Sequence, residues 1–197
     1  LTEYLECYIL LGEDWEEEDG MKNNQAKPQG VRVIAIDGRC CAGKSTLARD
    51  MAERLGAGVV HMDDFFLPVE MRTPARLALP GGNFHHERFV LEVLPFLRGG
   101  AGFSYRIFDC GRMDFDGVRV VAPSSLRVVE GAYAHHPVLG AYMDTRIFMD
   151  IGPEVQRKRV VRRNGAEAAG GFFDRWIPME EAYIRAYEIM EKADVIL

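Results

Sequence analysis

The segment GRCCAGKS at positions 38–45 constrains this chain more than any other stretch. It matches the pattern G-x-x-x-x-G-K-S/T, with Gly38, Gly43, Lys44 and Ser45 at the defining places. Before it lies VRVIAID, a near-continuous apolar run of strand length. After it comes STLARDMAERLG, in which Leu47, Ala48, Met51, Ala52 and Leu55 recur at helical spacing up to Gly56. A loop in that position turns a buried strand into a helix, and its small residues let successive backbone N–H groups converge on an anion at the positive end of the helix dipole. Gly38, Arg39, Cys40, Cys41, Ala42, Gly43, Lys44, Ser45 and Thr46 are therefore the expected cradle for the phosphates of a nucleoside triphosphate. In such a cradle Lys44 is the point charge for the β- and γ-phosphates, and the Ser45 hydroxyl is a ligand for Mg²⁺.

The rest of the body repeats the alternation. GVVHM, LRVVEG, TRIFMDI and the terminal DVIL read as further strands. Helical patterns run from about Pro153 to Arg163 and through MEEAYIRAYEIMEKA. Strands alternating with helices predict an α/β fold of the P-loop NTPase type, a five-stranded parallel sheet with helices on both faces. Ligands of such sheets bind at the carboxyl ends of the strands. Two stretches interrupt the pattern: residues 67–98, where ERFVLEVLPFLR predicts one helix, and residues 103–121, which predict a hairpin. Both are expected to form an acceptor-binding insertion. QRKRVVRR followed by the glycine-rich NGAEAAGG predicts a mobile cationic lid.

Residues 1–30 stand apart as an acidic N-terminal extension before a body at 31–197, and the first part of the extension is expected to dock on that body. They carry eight acidic residues against two lysines, which accounts for the whole net charge of −6 and leaves the body balanced. A balanced body has no electrostatic footprint for nucleic acid. No apolar run approaches the ~20 residues of a membrane span, and no basic-then-apolar leader opens the chain. Cys7, Cys40, Cys41 and Cys110 have neither zinc-site spacing nor the density of a disulfide scaffold, so reduced thiols in a cytoplasmic protein are expected. Paired histidines at 85–86 and 135–136 lack carboxylates at a recognised ligand spacing and do not predict a transition-metal site. Self-association into a homo-oligomer stays open.

Three sets of side chains are positioned for chemistry. Asp63 and Asp64 follow the second strand in HMDDFFLP, where a carboxylate can accept the proton of an attacking hydroxyl; adjacent residues on a strand end point apart, so one of the two is expected to act. Glu130 ends the third strand in LRVVEG and, with Ser45 and Asp63, is a candidate for the metal side. Arg159 and Arg162, within the cluster formed with Arg157, Lys158 and Arg163, can stabilise charge on a transferred phosphoryl group. For the acceptor the candidates are Asp64, Phe66, Phe84, His85, Arg106 and Phe108.

In order, AIDGRCCAGKST, MDDFF, GGNFHHERF, VVEGAYAHH, MDTRIFMDI and KRVVRR resemble the uridine kinase and phosphoribulokinase family of P-loop kinases, uridine kinases above all. The likeness spans Val31 to Leu197. It implies ATP and Mg²⁺, Asp63 as catalytic base, Glu130 as the metal-associated glutamate, and the segment around Arg159 and Arg162 as the lid over ATP. It also implies a small-molecule hydroxyl as acceptor, a nucleoside 5′-hydroxyl first. His85 stands where uridine kinases carry a ribose-binding aspartate, the hairpin FDCGRMDF has no histidine, and the lid has Arg162-Arg163 in place of an arginine-aspartate pair. A sugar, a pantothenate-like alcohol or glycerate is the alternative acceptor. A nucleotide-binding switch or ATPase without an acceptor is the alternative of another class.

Overall fold

A computed structural model describes residues 30–197. The acidic extension, and the expectation that its first part docks on the body, lie outside the described residues. The central strand β1 (Arg32–Gly38) is the apolar run before the glycine loop, and Val33, Ala35, Ile34 and Ile36 are fully buried in it. It pairs in parallel with β5 (Leu126–Glu130) on one side and β6 (Thr145–Met149) on the other. Parallel β2 (Gly58–His61) and β7 (Val195–Ile196) complete a five-stranded sheet in the order β2-β5-β1-β6-β7. The strand runs are apolar on both faces because both faces are covered. Ile34 and Ile36 point into a cluster with Leu47, Ala48 and Met51 of α1 (Lys44–Leu55). Val33 and Ala35 point the other way, into a larger cluster with Phe65, Phe84, Phe89 and Tyr183. Each such side chain contributes roughly 1.5–3 kcal/mol through burial.

The predicted helix over ERFVLEVLPFLR is broken in two, α3 (His86–Glu92) and α4 (Leu94–Leu97), after a short α2 (Pro74–Leu77). Pro95 is the cause: it has no N–H for the helical ladder, and its ring collides with the carbonyl one turn earlier. The predicted hairpin is present as β3 (Phe103–Asp109) and β4 (Asp114–Val121), antiparallel, with an irregularity between Arg106 and Phe108. NGAEAAGG is helical rather than irregular: α5 (Pro153–Asn164) leads into α6 (Ala166–Gly171), a π-helical turn (Phe172–Trp176) and α7 (Ile177–Tyr187). The last predicted helix ends early, at Glu188, whose φ of 53° is left-handed. No helix among the described residues is long and apolar enough to cross a membrane.

Two arginines fasten the hairpin to the sheet. Arg127 of β5, fully buried, donates to the Ala101 carbonyl at 2.6 Å and to that of Ala122. Arg119 of β4 clasps the buried Asp64 carboxylate with two bonds of 2.6 and 3.1 Å. Asp37, at the end of β1, is a third fastener: it accepts from Gly38 N–H (2.7 Å), His135 N–H (2.9 Å) and the Tyr183 hydroxyl (2.8 Å).

Gly38 makes the turn out of β1 possible. Its φ is 133°, and a Cβ there would overlap the Met149 backbone of β6. Gly38→Ala therefore combines left-handed strain with overpacking and should cost about 3 kcal/mol. Chemical denaturation of the variant would show a midpoint no lower than wild type if this close approach were unimportant.

Candidate functional site

The carboxyl ends of β1, β2 and β5 open into a cleft of about 1090 Å³, walled by the glycine loop, the insertion and the α5–π-turn segment. Backbone accounting identifies what its loop can bind. Gly38 N–H is taken by Asp37, Arg39 N–H by the Met149 carbonyl, Cys40 N–H by Glu180, and Ala42 N–H by the Arg39 carbonyl. Among the described residues, the amides of Cys41, Gly43, Lys44 and Ser45 have no protein acceptor, and all four residues line the cleft. Buried or partly buried amides demand partners. Four of them at the N-terminus of the 12-residue α1 form an anion site. Lys44 Nζ is held over this site by the carbonyls of Gly38 (2.6 Å) and Arg39 (2.9 Å). Cys41 adopts φ 61°, so the loop's curvature uses a non-glycine residue in the left-handed region.

Opposite the loop stands Glu130, buried, its register partners Ile36 on β1 and His61 on β2. Ser45 Oγ donates to its Oε2 at 3.1 Å, and His61 Nδ1 lies 2.5 Å from its Oε1. Asp63, in a short 3₁₀ turn (Met62–Phe65) just after β2, is accessible to solvent along the cleft yet surrounded by protein on its other sides. That desolvation, and then the charge of Glu130, raise its pKa above the ordinary aspartate value; Lys44 and Arg163 pull the other way. From α5, Arg159 Nη1 donates to the carbonyls of Cys41 (3.1 Å) and Ala42 (3.3 Å), Arg163 reaches Cys40 Sγ at 3.5 Å, and Arg162 lines the same cleft. Ser45 and Glu130 bring hard oxygen atoms within 3.1 Å of each other and Asp63 lines the same cleft, oxygen donors of a type suited to Mg²⁺.

The expected phosphate and transfer residues Lys44, Ser45, Thr46, Asp63, Glu130, Arg159 and Arg162 thus share one cleft. Within the loop, Arg39 turns its side chain away, to Asp150 at 2.6 Å and to Glu181, and Ala42 packs on the α1 side of the core. The acceptor expectations need correction. Phe66 lines the cleft, but the other five candidates do not. Asp64 is consumed by Arg119, Phe84 is core, and His85 caps α3 by accepting from Arg88 N–H. Arg106 pairs with Glu92 at 2.5 Å, and Phe108 packs edge-on against Phe115. Each of these side chains is satisfied by a neighbour elsewhere.

Also lining the cleft are Arg72, Leu77, Asn83, Cys110, Met113, Tyr133, Trp176 and Glu180, none of them a site candidate by residue type in the sequence, although Asn83 and Tyr133 lie within GGNFHHERF and VVEGAYAHH. Glu180 left a detectable trace: it shares the spacing i, i+3, i+4, i+7 with Tyr183, Ile184 and Tyr187, so a carboxylate sits on the apolar stripe of α7. It is buried, accepts from Cys40 N–H at 2.8 Å, and burial raises its pKa.

Neutralising Asp63 should reveal its electrostatic cost. Because its folded-state pKa is raised, the ionised carboxylate destabilises the fold above that pKa, and the penalty fades as pH falls through it. Asp63→Asn should therefore melt above wild type at neutral pH, with the gap closing on acidification. A midpoint equal to or below wild type at neutral pH would contradict this electrostatic picture.

No protein-family model matches the chain, and no curated protein matches it in sequence. Solved structures do. A protein described as a possible uridine kinase from Bacillus stearothermophilus is 21% identical over 87% of this chain and 91% of its own, with a TM-score of 0.64. A provisionally assigned fructose transport system kinase from Silicibacter sp. TM1040 is 23% identical, covers 100% of this chain and 99% of its own, and has a TM-score of 0.71. D-glycerate 3-kinase from Cryptococcus neoformans is 14% identical over 81% and 82%, with a TM-score of 0.54. Five parallel strands and the glycine loop after the central one make up the fold that this chain shares with these solved structures.

Proposed function

We propose that this protein transfers the γ-phosphoryl group of ATP to a hydroxyl of a small molecule. One observation carries the reading: the residues whose loop amides are unpartnered line a single cleft with Asp63, and Lys44 and Glu130 both act on Asp63 there. A site that only bound or hydrolysed a nucleotide would have no use for the walls contributed by the insertion, Phe66, Leu77 and Met113 among them.

In this mechanism the amides of Cys41, Gly43, Lys44 and Ser45 hold the phosphates, and Lys44 with Arg159 and Arg162 offsets charge spreading over the moving phosphoryl group. Asp63 orients the acceptor hydroxyl and takes its proton. The new bond joins the acceptor oxygen to the γ-phosphorus, the bond from that phosphorus to the bridging oxygen breaks, and ADP leaves with the electron pair. Ser45 and Glu130, with Asp63, would hold Mg²⁺, which when bound neutralises phosphate charge. The raised pKa of Asp63 favours proton acceptance, provided that the pH lies above it.

A nucleoside acceptor drew its support from the family likeness, and the side chains first assigned to bind it, Phe84 and His85, are engaged elsewhere. The cleft's geometry supports a kinase for a small hydroxyl compound, for which ATP and Mg²⁺ are the proposed phosphoryl donor and metal.

ADP release measured across an acceptor panel tests this. Lys44→Ala should abolish acceptor-dependent release, and Asp63→Asn should lower it by about 10²–10⁴-fold while nucleotide binding persists. Slow release that no acceptor accelerates would instead mark an ATPase or switch. Full activity in Asp63→Asn would remove Asp63 as the base.

A further inference from the structure

Among the described residues, one arginine of the insertion has no carboxylate partner. Residues 67–121 contain seven arginines: Arg72, Arg76, Arg88, Arg98, Arg106, Arg112 and Arg119. Six are ion-paired, with Glu87, Glu92, Asp144, Glu92, Asp116 and Asp64 in that order. Arg72 has no carboxylate partner among the described residues, and it lines the cleft. Its Nε donates to the Leu67 carbonyl at 2.7 Å, which fixes the plane of the guanidinium, and the Cys110 thiol beside it leaves the fork without a carboxylate. The thiol of Cys110, on the hairpin turn, hydrogen-bonds with Arg72, and both line the cleft with Asp63.

A second unanswered group sits beside the first. Asn83 is 4% exposed and lines the same cleft, and its Oδ1 has no hydrogen-bond partner. Leu67 ties the two together: its N–H donates to the Asn83 carbonyl at 3.1 Å while its own carbonyl holds Arg72. An orphaned buried acceptor calls for a donor from a ligand, and a preformed, unpaired guanidinium fork calls for a planar or tetrahedral oxyanion. The cations of the phosphate end, Lys44, Arg159, Arg162 and Arg163, come from α1 and α5. Arg72 comes from the insertion and is surplus to them.

Resting on the kinase reading above, we propose that the acceptor is a small hydroxylated anion, a hydroxy acid or a sugar phosphate. Arg72 grips its carboxylate or phosphate, a hydroxyl donates to Asn83 Oδ1, and the hydroxyl to be phosphorylated lies at Asp63. Leu77, Phe66 and Met113 supply the apolar walls around the carbon skeleton.

Matched acceptor pairs put this to the test in the full chain with Mg-ATP, with ADP release as the readout: D-glycerate against glycerol, pantothenate against panthenol, fructose 1-phosphate against fructose, and uridine as a neutral nucleoside. At least one charged member should exceed its neutral partner by about tenfold or more in kcat/KM, as a charge-assisted contact would give. Whether the carboxylates or the phosphate lead identifies the anion. Arg72→Gln should remove that preference, chiefly through KM, while leaving the binding of a fluorescent ATP analogue and the thermal midpoint unchanged. Arg72→Lys, which keeps charge but loses the fork, should restore part of it. Turnover of uridine, glycerol or fructose with no charged member favoured would overturn the anionic acceptor and keep the kinase. An Arg72→Gln effect equal on both members of a pair would overturn it as well. No stimulation by any compound, with the ATP analogue still bound, would overturn both.

Discussion

Glu130 is where the charges of the cleft meet. Its two oxygens are engaged by the Ser45 hydroxyl and the His61 ring, so the end of β5 is linked to the first turn of α1 and to the end of β2. From there Glu130 repels Asp63, and Glu180 adds a third carboxylate to a cleft whose loop is built to attract anions. Left to themselves, such groups would move apart or take up protons. They stay because each is mounted on a strand end or helix that the two hydrophobic clusters hold in place. The arrangement is thus strained electrostatically and rigid mechanically, the state in which a carboxylate keeps enough proton affinity to act as a base.

The adjacent pair Asp63 and Asp64 shows how that rigidity is obtained. Asp64 turns away from the cleft into a two-bond clasp with Arg119, and the Arg88 guanidinium donates to its carbonyl at 3.2 Å. Tyr105 of β3 adds a third tie, its hydroxyl accepting from His61 N–H at 3.0 Å. The hairpin wall and the turn bearing Asp63 therefore move as one piece. A buried pair of this kind contributes little net stability, because desolvation offsets most of its attraction. What it contributes is position, since breaking either side leaves a buried charge unmatched.

The half of the cleft proposed to hold phosphates was legible in the sequence because backbone amides form it. Amide donors need only a strand, a tight turn and a helix start, and GRCCAGKS between VRVIAID and STLARDMAERLG specifies all three locally. The parallel direction of the sheet followed from the same local alternation, but not the strand order: β2, which leads into Asp63, is separated from β1 by β5. The acceptor half is built from side chains brought together across long separations: Arg72 and Cys110, Asn83 and Tyr133, Glu180 against Cys40. No local spacing encodes such meetings. Phe84, His85, Arg106 and Phe108 had the residue types of an acceptor site, yet each found a partner that the sequence did not reveal. The break at Pro95 was missed, because the apolar residues on both sides of it keep helical spacing.

The glycine loop and the lid form a single mechanical unit. Cys40 receives Glu180 on its amide and Gln156 on its carbonyl (3.2 Å), Cys41 and Ala42 carbonyls receive Arg159, and Arg39 is held by Asp150 and Glu181. These contacts come from α5, α7 and the end of β6, elements separated from the loop by more than a hundred residues. Because backbone carbonyls of the loop anchor Arg159, the guanidinium is already beside the phosphate amides rather than recruited from solvent. The π-helical turn at Phe172–Trp176 lies between α6 and α7, and both Phe172 and Trp176 line the cleft. A π-turn carries more residues per turn than the helices around it and marks a place where helix registry is adjustable. Adjustment there would move the lid's aromatic wall, while α7 keeps Glu180 on the loop through Tyr183 and Asp37. The fold thus separates the part that must stay fixed for phosphate binding from the part that can change shape around it.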